Sequence, residues 1–136
     1  MLDCVLRRGA GQGSPATGTI GQAGERRAEA HLREQGLRIL ARNFRCKGGE
    51  IDLIAEHAGS IVFVEVRLRS HAEFGGAAAS ITPAKQRRII LAARQWLQGE
   101  GRVYQNRACR FDAMLLSHQN LQDVEWMQAA FIAKAL

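Results

Sequence analysis

Residues 48–69, GGEIDLIAEHAGSIVFVEVRLR, constrain the fold of this chain more than any other stretch. Residues 50–56 alternate, with Ile51, Leu53 and Ala55 on one face and Glu50, Asp52 and Ile54 on the other, as a β-strand does. His57-Ala58-Gly59-Ser60 supplies a turn with a glycine for a positive-φ position. Residues 61–68 follow, rich in Val, Ile and Phe, which predicts a second strand at the centre of a sheet. An inner strand should be apolar almost throughout. This one carries Glu65 and Arg67, and the strand before it carries Asp52. Side chains two apart on a strand share a face, and neighbouring strands lie about 4.8 Å apart. Carboxylates on the two strands of one hairpin therefore converge, which is a way to hold a divalent cation.

The 136 residues fit one domain, and a hydrophobic content of 46% supports a packed core. No apolar run approaches the roughly 20 residues of a membrane span, and residues 1–18 lack the continuous apolar region of a signal peptide. These features predict a cytoplasmic protein with no membrane partner. The three cysteines, Cys4, Cys46 and Cys109, show no CxxC spacing, which argues against a zinc site or a disulfide framework. Nineteen Lys and Arg against thirteen Asp and Glu give a formal charge of +6. Nucleic acid is the default partner of a small basic domain, through neutralisation of phosphates. The distribution sharpens that expectation. Arg42, Arg45 and Lys47 lead into the hairpin, Arg67 and Arg69 sit inside it, and Lys85, Arg87 and Arg88 follow it.

Outside the hairpin, residues 1–18 read as a flexible tail, and residues 19–136 as a single domain. Thr19 with Gln22 has capping-box spacing and opens a first helix that ends at Gly36. Residues 37–45 read as the first strand. Residues 70–80, with Gly75-Gly76 followed by three consecutive alanines, read as a loop beside the hairpin. Thr82-Pro83 opens a second helix, which runs to about Gln98 with Ile89, Ala93, Trp96 and Leu97 facing inward. Residues 109–116 and 121–127 read as two further strands, and residues 129–136 as a short terminal helix. The order α-β-β-β-α-β-β predicts a small α/β domain with a mixed sheet flanked by helices.

Phosphodiester hydrolysis needs hard oxygen ligands, an attacking water and positive charge near the scissile phosphate. Asp52 and Glu65 supply oxygens, and the Val66 carbonyl is a further candidate ligand. Arg67 is placed to neutralise developing phosphate charge, and Lys85 to hold a neighbouring phosphate. The competing reading makes Asp52 and Glu65 ordinary sheet-face carboxylates neutralised by Arg67, Arg42 or Arg69. Glu50, and Glu25 with Glu29, read as solvated residues on this ground. Asp112 is either a fourth acidic group or a partner of Arg110. The four histidines show no zinc-hydrolase spacing. Trp96 and Trp126 read as packing residues.

The segments GGEIDLIA, VFVEVRLR, FGGAAASIT with the lysine three residues on, CRFD and the closing VEW-x-x-x-AF resemble the YraN family of bacterial proteins. The likeness extends from Gly21 to Phe131. That family is similar to the PD-(D/E)xK nuclease superfamily, which includes archaeal Holliday-junction resolvases. The resemblance implies a restriction-endonuclease-like core, with Asp52 as the motif Asp, Glu65 as the motif acid and Arg67 in the place of the motif Lys. It also matches Glu25 to an acid on the first helix of resolvase-like members, and Lys85 to a lysine opening the second helix. The implied function is a nuclease acting on structured or branched nucleic acid, DNA before RNA, with Mg²⁺ or Mn²⁺ bound by Glu25, Asp52, Glu65 and Val66. Lys85, Arg88 and Arg69 would bind the nucleic acid, and a homodimer is one arrangement because resolvase-like relatives work as dimers. Arg67 departs from the pattern, since arginine does not give up its proton at neutral pH as a lysine can. A nucleic-acid-binding protein that keeps the fold without turnover is therefore the alternative.

Overall fold

Strand-forming alternation and helix-forming periodicity resolve into the two faces of one sheet. The computed structural model describes residues 15–69 and 81–133, with side chains from residue 20 onward. Helix α1 (Pro15–Glu34) is followed by β1 (Arg38–Cys46), β2 (Gly49–His57) and β3 (Ser60–Arg69). Helix α2 (Pro83–Gln98), a 3-10 turn (Arg102–Tyr104), β4 (Cys109–Ser117) and β5 (Val124–Phe131) complete the chain. The five strands lie side by side in sequence order. β3 and β4 are parallel, and every other neighbouring pair is antiparallel. The parallel pair requires a long crossover, and α2 lies within it. The mixed sheet and the element order match the expectation from sequence.

The helices cover opposite faces. Ala28 and Leu32 of α1 pack with Leu53, Ala55, Val62, Val64, Met114 and Leu116. Ile89, Ala92, Ala93, Trp96 and Leu97 of α2 pack with Phe44, Ile51, Ile54, Phe63 and Phe111. β3 is thus apolar on both faces over residues 61–64, as an inner strand must be. Local signals set the boundaries. Gly36, at φ +93°, ends α1 as expected; its N–H bonds the Arg33 carbonyl while that of Leu37 bonds Leu32. At α2 the Thr82 hydroxyl accepts a hydrogen bond from the Lys85 N–H at 3.1 Å, with Pro83 in the first turn. Ala58 and Gly59 both have positive φ, the requirement of a tight two-residue hairpin turn, and His57 faces Ser60 across it.

Four expectations shift. α1 begins at Pro15 rather than Thr19. β1 lies one residue later than expected, over Arg38–Cys46. The last strand starts at Val124, because residues 121 and 122 form a turn in which the Gln122 N–H bonds the Asn120 side chain. The terminal helix expected from residue 129 gives way to strand through Phe131. There the Ala129 N–H donates to Asp112 and Phe131 stacks on Phe111, so the chain stays in the sheet. Residues 1–14 of the expected tail and the loop over 70–80 lie outside the described residues. Among the described residues, no helix is long and apolar enough to cross a membrane.

Asp112 is the partner of Arg110, and more. Its side chain, on a residue 1% exposed, accepts two bonds from the Arg110 guanidinium at 2.9 Å each, one from Trp126 Nε1 at 2.9 Å and one from the Ala129 N–H at 3.0 Å. Removing a fully paired buried charge strands its donors, a loss of about 3–5 kcal/mol. Asp112→Ala should lower the unfolding free energy in urea by that amount, with the loss centred on β5.

Candidate functional site

The β2–β3 ladder runs from His57–Ser60 to Leu53–Val64 and stops there. The next pair would be Asp52 and Glu65. Each strand keeps its outer neighbour beyond this point, β2 with β1 as far as Cys46–Gly49 and β3 with β4 as far as Arg69–Ser117. The sheet therefore opens between its second and third strands. The Val66 N–H, without a β2 backbone partner there, donates to Asp52 Oδ2 at 2.8 Å. A buried N–H left unpaired is costly, and the carboxylate supplies the missing acceptor.

The opening has a second signature in the packing. Ile51 and Ile54 both face α2, whereas Leu53 and Ala55 face α1. Strict alternation, which would put Ile51, Leu53 and Ala55 together, slips at Asp52. β1 slips in step. Ala41 and Phe44, three apart, share the α2 side, and Asn43 between them has φ +50°. Asparagine is among the few residues that tolerate that conformation.

Glu25, Glu50, Asp52, Glu65, Arg67 and Lys85 line one recess of about 320 Å³, with Val66 on its wall. Glu25 arrives from α1. That helix is anchored one turn later by Glu29, whose carboxylate binds the Arg42 guanidinium of β1 at 2.6 and 2.7 Å and Arg33 at 2.8 Å. Glu29 is therefore a docking residue rather than a merely solvated one, and Arg42 is committed to it. Arg69, expected on nucleic acid, pairs with Glu125 at 3.2 Å. Neither of these arginines neutralises Asp52 or Glu65. Lys85 enters from α2, with Nζ 3.2 Å from Glu65 Oε2. Arg67 lines the recess and makes no ion pair among the described residues. Arg88 lines an adjoining recess instead.

Crowded acids in a buried place resist ionisation. Burial pushes the Asp52 carboxyl well above its ordinary 3.8, and the neighbouring Glu65 charge adds to the shift. Burial also raises Glu25 above 4.5, against a hydrogen bond from Asn43 and the charge of Arg45, which lower it. Glu50, expected to be solvated, raises both acids further. Sequence reasoning undervalued Glu50 and missed Asn43, although an asparagine inside an otherwise strand-like run is a signal of irregular backbone. The donors are hard oxygens, the chemistry that suits Mg²⁺ or Mn²⁺. Among the described residues they do not form a closed ligand group of three or more.

The direction of these shifts sets a pH dependence. The folded chain holds the Asp52 proton more tightly than the unfolded chain. The resulting stability is fully present below the unfolded value near 3.8 and is lost as pH rises through the higher folded value. In EDTA, Asp52→Asn should therefore melt above wild type at pH 7.5, and the gap should shrink towards pH 4. The asparagine oxygen still accepts from Val66. A gap independent of pH would show that Asp52 is not held towards its neutral form.

Residues 24–116 match the model of the uncharacterised protein family UPF0102. A UPF0102 protein of Methylobacillus flagellatus is 52% identical over 114 residues, covering 84% of this chain and 97% of that relative. One from Cupriavidus taiwanensis is 55% identical over 122 residues, covering 89% and 88%. One from Pseudomonas entomophila is 53% identical over 113 residues, covering 82% and 91%. The matched region contains Glu25, Asp52, Glu65, Arg67 and Lys85. The chain belongs to the UPF0102 family.

Proposed function

We propose that this protein is a metal-dependent endonuclease of the PD-(D/E)xK type, hydrolysing phosphodiester bonds in branched or structured nucleic acid, DNA before RNA. One observation carries the reading. Asp52, Glu65 and Glu25 gather at the point where the inner ladder of the sheet opens, with Arg67 and Lys85 on the same recess. A sheet-face ion pair needs no such opening. Of the arginines that would neutralise the acids in a purely structural arrangement, Arg42 and Arg69 bind Glu29 and Glu125 instead, which leaves Arg67 at the recess.

Glu25, Asp52, Glu65 and the Val66 carbonyl would hold Mg²⁺ or Mn²⁺, which when bound supplies Lewis acidity at the phosphate and a more acidic water. The chain's own groups do the rest. Asp52, fixed by the Val66 N–H, orients one carboxylate edge towards the recess. Arg67 sets a permanent positive charge where negative charge grows on the phosphate oxygens. Lys85 balances Glu65 until a phosphate enters, and then has donors to offer it. Arg67 cannot serve as a proton acceptor, so proton removal from water falls to a carboxylate. A homodimer would present two such recesses to a two-fold branched substrate. The permanent charge of Arg67 also favours a second reading, a nucleic-acid-binding protein without turnover.

Branched, duplex and single-stranded DNA incubated with and without Mn²⁺ separates the two readings. Wild type should cleave a branched substrate only with metal, and Arg67→Lys should cleave at least as well. Arg67→Ala should lose about 3 kcal/mol of transition-state stabilisation, more than a hundredfold in rate, with little loss of binding. Binding without cleavage by wild type and Arg67→Lys alike would leave the second reading. Mn²⁺ at about 100 times its Kd should stabilise wild type by about 2.7 kcal/mol and Asp52→Asn far less.

A further inference from the structure

A second recess, of about 300 Å³, adjoins the carboxylate recess and shares Glu50 with it as a common wall. Its charge is opposite. Arg45 and Lys47 reach it from the end of β1 and the turn after it, and Arg88 from α2. None of the three is in an ion pair among the described residues, whereas Arg33, Arg38, Arg42, Arg69, Arg107 and Arg110 all are. Glu50, opposite Arg45 across β1 and β2, is the one acid that lines this recess, and the charge of Arg45 also reaches Glu25, so Arg45, Lys47 and Arg88 leave an excess of positive charge that suits an anion.

The meeting of the two elements is enforced by backbone. A Cβ on Gly49 would lie 2.3 Å from the Arg88 carbonyl oxygen and 3.2 Å from Ala92 Cβ. Gly48, at φ +88°, leaves only 2.9 Å between such a Cβ and Leu91. The β1–β2 turn is thus seated directly on α2 at the level of Arg88, and only glycine permits that approach. The pair Gly48-Gly49 fixes the spacing between the Arg45–Lys47 segment and Arg88.

We propose that the Arg45–Lys47–Arg88 recess is a subsite for a backbone phosphate flanking the scissile one. This rests on the reading of the neighbouring recess as a phosphodiester site and specifies how substrate is held there. Arg67 and Lys85 face four acids in the carboxylate recess, and a strand that spans Glu50 from one recess to the other gains further positive charge on the basic side. Two guanidiniums and an ammonium offer the charge-assisted donors that phosphodiester oxygens accept. Contacts to backbone phosphate position a strand without reading its bases, so the subsite sets register and not sequence.

The test is binding of a fluorescent branched DNA in Ca²⁺ across a salt series, together with Mn²⁺-dependent cleavage. The proteins are wild type, Arg45→Ala/Lys47→Ala, Arg88→Ala, and Arg102→Ala as a control. Arg102 is exposed on the 3-10 turn, whose Tyr104 approaches Arg38 at the opposite end of β1. The subsite predicts about tenfold weaker binding for the double variant and for Arg88→Ala, with a log K versus log[salt] slope smaller by about one. Arg102→Ala should leave the slope unchanged. Equal small effects from all variants would mean diffuse charge and would overturn the subsite while leaving cleavage to stand. Wild-type binding that shows the predicted slope changes without cleavage would keep the subsite and remove the nuclease reading. No binding by wild type would remove both.

Discussion

The rest of the site depends on one hydrogen bond, from the Val66 N–H to the Asp52 carboxylate. A β-sheet can end an internal ladder only if the backbone groups it releases find other partners. Here the ladder between β2 and β3 stops at Leu53–Val64 while both outer ladders continue, and a side chain takes the place of a strand. The consequence is a gap within the sheet, deep enough that Glu65 is 4% exposed yet bounded by polar groups. Burial in such a place disfavours the charged carboxylate and pushes Asp52 and Glu25 upward. Sites that bind cations and phosphates commonly carry strain of this kind.

Both helices serve the gap. α1 is held by Ala28 and Leu32 against the sheet and by Glu29 on Arg42, which fixes the register that brings Glu25 in. A surface ion pair of that sort contributes little stability alone, so its worth lies in alignment. α2 is seated by Trp96 and its apolar stripe, and its Thr82 cap sets the first turn from which Lys85 meets Glu65. At the other side of the sheet, Asp112 binds Arg110, Trp126 and the Ala129 N–H, closing β5 onto β4. Asp112 and Glu65, the least exposed acids among the described residues, thus differ in kind. Asp112 has four donors and is structural, whereas Glu65 has Lys85 and an open recess.

Much of this was legible in the residues. Alternation and turn glycine mark the hairpin, Thr82-Pro83 marks α2, and the two acids and Arg67 stand out because an inner strand should not carry them. Three things were not legible. Alternation cannot announce its own failure, so the slip at Asp52 and Asn43, which makes the gap, appears only in the packing. The partners of Glu29, Glu65 and Asp112 are remote in sequence, so a docking pair, a site ion pair and a core anchor look alike as single letters. At the C-terminus, alanine-rich residues 129–136 suggest helix by intrinsic propensity, and pairing with β4 overrides it as far as Phe131.

The most direct test of this account is anomalous diffraction from crystals grown with Mn²⁺. A manganese peak within ligand distance of Asp52 and Glu65, with the Lys85 ammonium displaced from Glu65, is the predicted result. Crystals that show no manganese there at millimolar concentration, with the Lys85–Glu65 pair intact, would contradict it and make the gap a structural irregularity.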